Sequence, residues 1–176
     1  MTETFTPHRT TVGVRSYRPA DHGACRGLWA EFTEHHRELY DDPTLGGSDP
    51  GAAFEEYLTR LDLSGMWVAE DPGDGVVGLV GLILRGRGGE VDPVVVAHRR
   101  RGEGIGRMLL THVGAQARQR GMRELSISPA LRNVNAIHCL YAAGYNVVGR
   151  LTLTAELTGQ RSGQDRIDIH NKSFRY

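Results

Sequence analysis

The sequence predicts an α/β fold, a mixed twisted sheet with helices on its faces. Three observations carry this. Segments with period-2 alternation are interleaved with segments of helical period along the whole chain. Val76–Leu84 is apolar on both faces, which suits a central strand. The strand ending at Val96 runs into a glycine-rich turn that opens directly into an amphipathic helix. With 176 residues, 39% of them hydrophobic and 24% charged, the chain is predicted to form one domain over residues 1–176, with its core in about 12–157.

Taken in order, Val12–Arg18 alternates and predicts a first strand, closed by Arg18-Pro19-Ala20-Asp21. Asp21 is a suitable N-cap, and Ala24, Leu28, Trp29, Phe32, His36 and Leu39 recur at helical spacing up to Tyr40. The Asp-, Pro- and Gly-rich stretch Asp41–Pro50 is a loop, and Phe54–Leu63 gives a short second helix. Met66–Glu70 is a strand, turned by Asp71-Pro72-Gly73-Asp74-Gly75 into Val76–Leu84. Glu90–Val96 is the fourth strand, although Pro93 inside it has no N–H for a ladder. A helix over Gly104–Arg120 ends at Gly121, and Glu124–Ser128 is a strand stopped by Pro129. Val134–Ala143 is a helix ended by Gly144. Tyr145–Leu157 alternates as a long strand, Thr158–Gln164 is a turn, and Arg166–His170 is a last short strand.

Charge and composition exclude several classes. Lys and Arg total 21 against 21 Asp and Glu, which argues against a basic nucleic-acid binder. The nine-residue run Val76–Leu84 is too short to span a bilayer, and Met1–Thr11 lacks the apolar core of a secretory signal. Cys25 and Cys139 do not make a disulfide scaffold or a zinc site, so a reducing, cytoplasmic setting is expected. No metal is expected, because adjacent His35 and His36 do not share the i, i+4 face that ligands on a helix need.

The chemistry concentrates in Val94–Gly106. The first N–H groups of a helix have no intrahelical partner, and with the helix dipole they attract an anion such as phosphate. Gly102, Gly104 and Gly106 let a diphosphate approach the backbone, while Arg99, Arg100 and Arg101 gather positive charge. A P-loop would need a Lys that is absent. The dinucleotide fingerprint would need a third glycine where Arg107 stands.

What the segment does match is Arg/Gln-x-x-Gly-x-Gly/Ala, as Arg101-Gly102-Glu103-Gly104-Ile105-Gly106. In this the sequence resembles the GNAT superfamily of acetyl-CoA-dependent N-acetyltransferases. Asn133-x-x-Ala136 with Gly144-Tyr145, and the Arg18–Asp21 junction, extend the resemblance over most of the chain. The resemblance implies a single-domain GNAT fold whose fourth and fifth strands splay apart around the pantetheine arm of acetyl-CoA. Pro93 suits such a splay. The freed backbone groups of Val94 and Val96 would pair with the pantetheine amides, and Arg101, Gly102, Gly104, Ile105, Gly106 and Asn133 would complete the cofactor site.

The implied reaction is direct attack of a primary amine on acetyl-CoA in a ternary complex, most simply with a small-molecule acceptor. It needs a base for the ammonium proton. Glu90, at the head of the fourth strand, is preferred, with Asp92 on the same face as the alternative. The tyrosine that often protonates the thiolate in this family falls at Leu140. Tyr141, one residue on and about 100° around the helix, is the candidate in its place. Glu34, His35 and Asp92 form a substrate rim with an acidic bias that suits a cationic acceptor. Two alternatives stand beside this reading: a protein or peptide acceptor, and a CoA-binding sensor without activity. Members of the family are often dimers, which the resemblance leaves open as a homodimer here, with the long C-terminal strands as an interface.

Overall fold

A computed structural model describes residues 12–155, 157 and 165–176. The chain forms β1 (Gly13–Ser16), α1 (His22–Tyr40), α2 (Ala53–Arg60), β2 (Met66–Asp71), β3 (Gly75–Arg85), β4 (Gly88–Val96), α3 (Ile105–Gln119), β5 (Leu125–Ser126), α4 (Val134–Ala142), β6 (Arg166–Ile169) and β7 (Lys172–Arg175). The main sheet has the order β1-β2-β3-β4-β5. Its first four strands are antiparallel, and β5 is parallel to β4. No helix among the described residues is long and apolar enough to cross a membrane.

The core lies between this sheet and the helices. β3 is buried from Val77 to Ile83, as its two-sided apolar pattern requires. On one face α2 inserts Phe54 and Tyr57, both fully buried, against Trp29 of α1. On the other face Leu109 of α3 lies over Gly78 and Ala69, where a Cβ on Gly78 would come within 3.0 Å of it. Fully burying each such side chain stabilises the fold by about 1.5–3 kcal/mol.

β3 and β4 are out of step by one residue. Val80 pairs with Val94, but Leu82 pairs with Val91, so Asp92 and Pro93 together oppose Gly81. This is a β-bulge, and it bends and re-aims the strand that carries it. The Asp92–Pro93 peptide is cis. The bulge turns β4 over. Glu90 pairs with Ile83 on the α2 face, whereas Val96 pairs with Gly78 on the α3 face.

The β4–β5 ladder is short. Only Gly89 with Leu125 and Glu90 with Ser126 are paired, so the strands part just before the bulge. This is the splay that the family resemblance implied.

Three expectations need correction. The strand expected over Glu124–Ser128 is two residues long. Lys172–Arg175 forms a strand that was not expected, paired with β6 in a separate two-stranded sheet. Among the described residues, the long strand expected over Tyr145–Leu157 is absent: residues 145–155 have no regular structure. Tyr145 packs against the core, but beyond it adjacent Val147 and Val148 are 86% and 92% exposed, so neither alternating face is covered there. Alternation makes a strand only where another strand pairs with it, and among the described residues none pairs with residues 145–155. The turn expected over Thr158–Gln164 lies outside the described residues.

Candidate functional site

The site is built around the opening between β4 and β5. Ala97 donates its N–H to the Val77 carbonyl at 2.9 Å, so alternate residues of β4 point their backbone groups toward β3. Val94 and Val96 therefore present theirs to the opening. The Val96 carbonyl accepts a contact there from Nε of Arg101 at 3.4 Å. These are backbone groups that an added extended ligand could pair with, as a missing strand would.

Beyond Val96 the chain makes one 3-10 turn over His98–Arg100 and then reaches the glycines. Gly102 and Gly104 have φ of +82° and +83°, a region that disfavours side chains. They leave the N-terminus of α3 uncovered: a Cβ on either would meet nothing within 4 Å. Arg101 and Arg107 flank this end, and Arg107 also donates to the Ala142 carbonyl of α4. An exposed helix N-terminus of fifteen residues beside two arginines is suited to a phosphate.

Arg100 departs from expectation. It does not face outward as free positive charge. It is 14% exposed and bound to three carboxylates: Asp74 at 2.8 Å, Glu103 at 3.0 Å and Asp71 at 3.3 Å.

α1 closes one side of the opening. Glu31 accepts from the N–H of His98 at 2.7 Å, and Arg132 donates to the Leu39 carbonyl at 3.0 Å. Between these contacts His35 lies near Asn133, the residue that caps α4 through the Ala136 N–H at 3.1 Å. Burial, with Arg101 and His36 adding positive charge, pushes the His35 imidazole below its ordinary value, while Glu38 and Asn133 pull it the other way. The cofactor residues expected from the resemblance, Val96, Arg101 and Asn133, are thus brought together with His35. Glu34 is set apart from them in a pair with Arg37 at 2.8 Å.

Glu90 and Asp92 lie on the α2 face of the bulge. Glu90 is paired with Arg85 at 2.7 Å. Burial raises the Asp92 carboxyl above the usual aspartate value, and the Glu90 charge raises it further, against Arg60 and Arg85. The bulge itself is held by Tyr57, whose hydroxyl donates to the Asp92 carbonyl at 2.6 Å. On α4, Leu140 is buried in the core and Tyr141 is 69% exposed. The helix is regular from Val134 to Ala142, so nothing rotates Tyr141 into the place of Leu140.

A groove of about 560 Å³ also opens along α3, lined by Gly104, Arg107, Met108, Thr111, His112 and Val14. It runs from Gly104 and Arg107, at the N-terminal end of α3, toward Val14 of β1.

Sequence reasoning missed Tyr57 and Gly81. The buried residues of α2 are Phe54 and Tyr57. Gly81 had no local signal, because the register across two strands gives it its role.

Comparison with known proteins adds to this geometry. The sequence model of the acetyltransferase (GNAT) family matches residues 23–145. A streptothricin acetyltransferase from Streptomyces lavendulae is 30% identical over 166 residues, covering 82% of this chain and 86% of that protein. Among solved structures, the PaiA N-acetyltransferase of Thermoplasma acidophilum, in complex with coenzyme A, superposes with a TM-score of 0.66 at 14% identity, over 76% of this chain and 89% of that one. A ribosomal-protein-alanine N-acetyltransferase from Brucella melitensis gives a TM-score of 0.60 at 24% identity, over 75% and 83%. These two structural likenesses support the fold.

Proposed function

The chain belongs to the acetyltransferase (GNAT) family and is an acyltransferase, and from that premise we propose that it moves an acetyl group from acetyl-CoA to a primary amine of a small molecule. The single observation that carries this is the β4–β5 opening, which leads from the backbone of Val94 and Val96, left without a strand partner on that side, to the glycine-lined start of α3. Val94 and Val96 would hold the pantetheine amides. Arg101, Gly102, Gly104, Ile105 and Gly106 would hold the diphosphate, and Asn133 shapes the opposite wall through α4.

Acetyl-CoA supplies a thioester carbonyl. The amine arrives as ammonium and must lose a proton before its nitrogen can attack that carbonyl. Of the two carboxylates, Asp92 is the better base. Glu90 is held by Arg85, while burial raises the affinity of Asp92 for a proton above that of an ordinary aspartate. Collapse of the tetrahedral intermediate re-forms the carbonyl as an amide and breaks the bond to sulfur, and the electron pair leaves on the CoA thiolate. Tyr141 can serve as proton donor to that thiolate only from its own exposed position, since it does not take the place of Leu140. An unchanged rate and pH profile in Tyr141→Phe would remove it from the mechanism.

The small-molecule reading is favoured over a peptide acceptor by the 30% identical relative, whose name specifies streptothricin. His35, Glu38 and the Glu90–Asp92 pair supply the acidic and titratable rim that a cationic amine would meet. The same reading takes the enzyme to be cytoplasmic. Thermal shift with coenzyme A, acetyl-CoA, NAD and ATP tests the cofactor, since a ligand of the native state raises its melting temperature. Stabilisation by the CoA species alone is expected, and its absence would refute the proposal. Release of free thiol in the presence of streptothricin, other amines and peptides then identifies the acceptor. Turnover of peptides alone would replace the small-molecule reading.

A further inference from the structure

We propose that the β2–β3 turn is a positioning element for the phosphate-binding loop, and that Arg100 serves as its strut and not as a phosphate ligand. This inference rests on the reading of that loop as the CoA site.

The turn Asp71–Gly75 is distant in sequence from the loop, yet the two are joined at one guanidinium. Asp71 shapes the turn, accepting from the N–H groups of Gly73 and Asp74 at 2.9 and 3.1 Å. From that turn Asp71 and Asp74 reach Arg100 at 3.3 and 2.8 Å, and Glu103 meets the same guanidinium from within the loop at 3.0 Å. Arg99 approaches Asp74 at 3.6 Å. On the opposite side Glu31 of α1 holds the His98 N–H. The segment leading into Gly102–Gly106 is thus tied to β2–β3 on one side and to α1 on the other.

Charge and geometry argue against Arg100 as a ligand. Three carboxylates surround one guanidinium, and both of its terminal nitrogens and its Nε are engaged. A phosphate there would meet the carboxylates as well as the arginine. A strut loses nothing by being neutralised. It fixes where Arg101, Gly102 and Gly104 stand, and a loop fixed in its binding shape binds more tightly than one that must first be ordered.

The two roles give opposite signs. If the acids hold Arg100 back from a phosphate, neutralising Asp74 frees it and coenzyme A binds more tightly. If Arg100 is a strut, neutralising Asp74 loosens the loop and coenzyme A binds more weakly. The experiment measures the dissociation constant for coenzyme A by titration calorimetry in wild type, Asp74→Asn, Asp74→Glu and Glu103→Gln, with the melting temperature of each ligand-free protein. We expect about three- to tenfold weaker binding for Asp74→Asn and Glu103→Gln. The unliganded melting temperatures should be nearly unchanged, and Asp74→Glu should recover most of the affinity. KM for acetyl-CoA should rise by the same factor while kcat stays within about twofold. Tighter or unaltered binding in Asp74→Asn would overturn the proposal, and so would weakening matched by a general loss of stability. If wild type itself does not bind coenzyme A, the reading of the loop fails and the proposal with it. If wild type binds and Asp74→Asn matches it, only the strut fails.

Discussion

The two walls of the β4–β5 opening are built very differently. β4 is nine residues long and paired with β3 throughout, apart from one bulge. It is fastened again by the Tyr57 hydroxyl, and the loop that follows it is tied to α1 and to the β2–β3 turn. β5 is two residues long, the segment after it reaches α1 through Arg132, and the chain beyond Tyr145 is exposed and irregular as far as residue 155. The groups proposed for proton abstraction and for pantetheine and diphosphate binding lie on the fastened wall. The other wall supplies Asn133 and Tyr141. Chemistry that needs groups held to within a fraction of an ångström belongs on the element with the most independent restraints.

This asymmetry can be tested by substitution on each side. The largest effect is expected for Asp92→Asn, which should lower kcat by about 10²- to 10⁴-fold, the usual worth of a general base. The same variant should melt at a higher temperature than wild type at neutral pH. The native Asp92 carboxyl binds its proton more tightly than the unfolded one, so folding is penalised wherever the unfolded carboxyl is charged. That penalty, and the gain of the variant, should fade as the pH falls to about 4. Melting curves between pH 4 and 8 check the sign. A variant that loses activity without this pH-dependent gain would place the effect elsewhere than at a buried charge.

Next comes Gly81→Ala. Its Cβ would stand 1.7 Å from the Tyr57 hydroxyl and 2.6 Å from the Asp92 carbonyl oxygen. Overpacking of this kind should cost about 3 kcal/mol in urea unfolding. Tyr57→Phe should be milder. It leaves the Asp92 carbonyl without its donor and should cost about 1–2 kcal/mol, with a fall in kcat if the bulge shifts. On the loose wall, Val148→Asp should change stability by less than about 0.5 kcal/mol and leave turnover as it was. A large loss there would show that the segment is covered in solution and that the two walls are more alike than the monomer suggests.

How far the sequence discloses this molecule follows the same division. Elements with strong local periodicity, such as α1, β2, β3 and α3, lie close to where their spacing put them, because burial on one face or two selects the pattern. The Arg101–Gly106 motif was legible, since positive φ and an open helix end demand glycine. Tyr145–Leu157 shows the limit. Its alternation is a statement about one strand, whereas a ladder is a property of two. Arg100 shows another limit: a run of three arginines looks like a basic patch until the fold brings Asp71 and Asp74 to the middle one. Tyr57, Gly81 and Asp92 were beyond reach as a group, because they meet only through strand register and helix docking.

That meeting has a consequence for how the sequence can drift over generations. Any side chain at position 81 collides at once with the hydroxyl at 57 and the carbonyl at 92. Removing the hydroxyl first is not enough, because the ring carbon behind it would still lie 3.0 Å away. No single substitution opens the position. The glycine, the tyrosine and the extra residue of β4 are therefore expected to be inherited together, and a descendant that gains a side chain at 81 should have lost the bulge, and with it the present placement of Asp92.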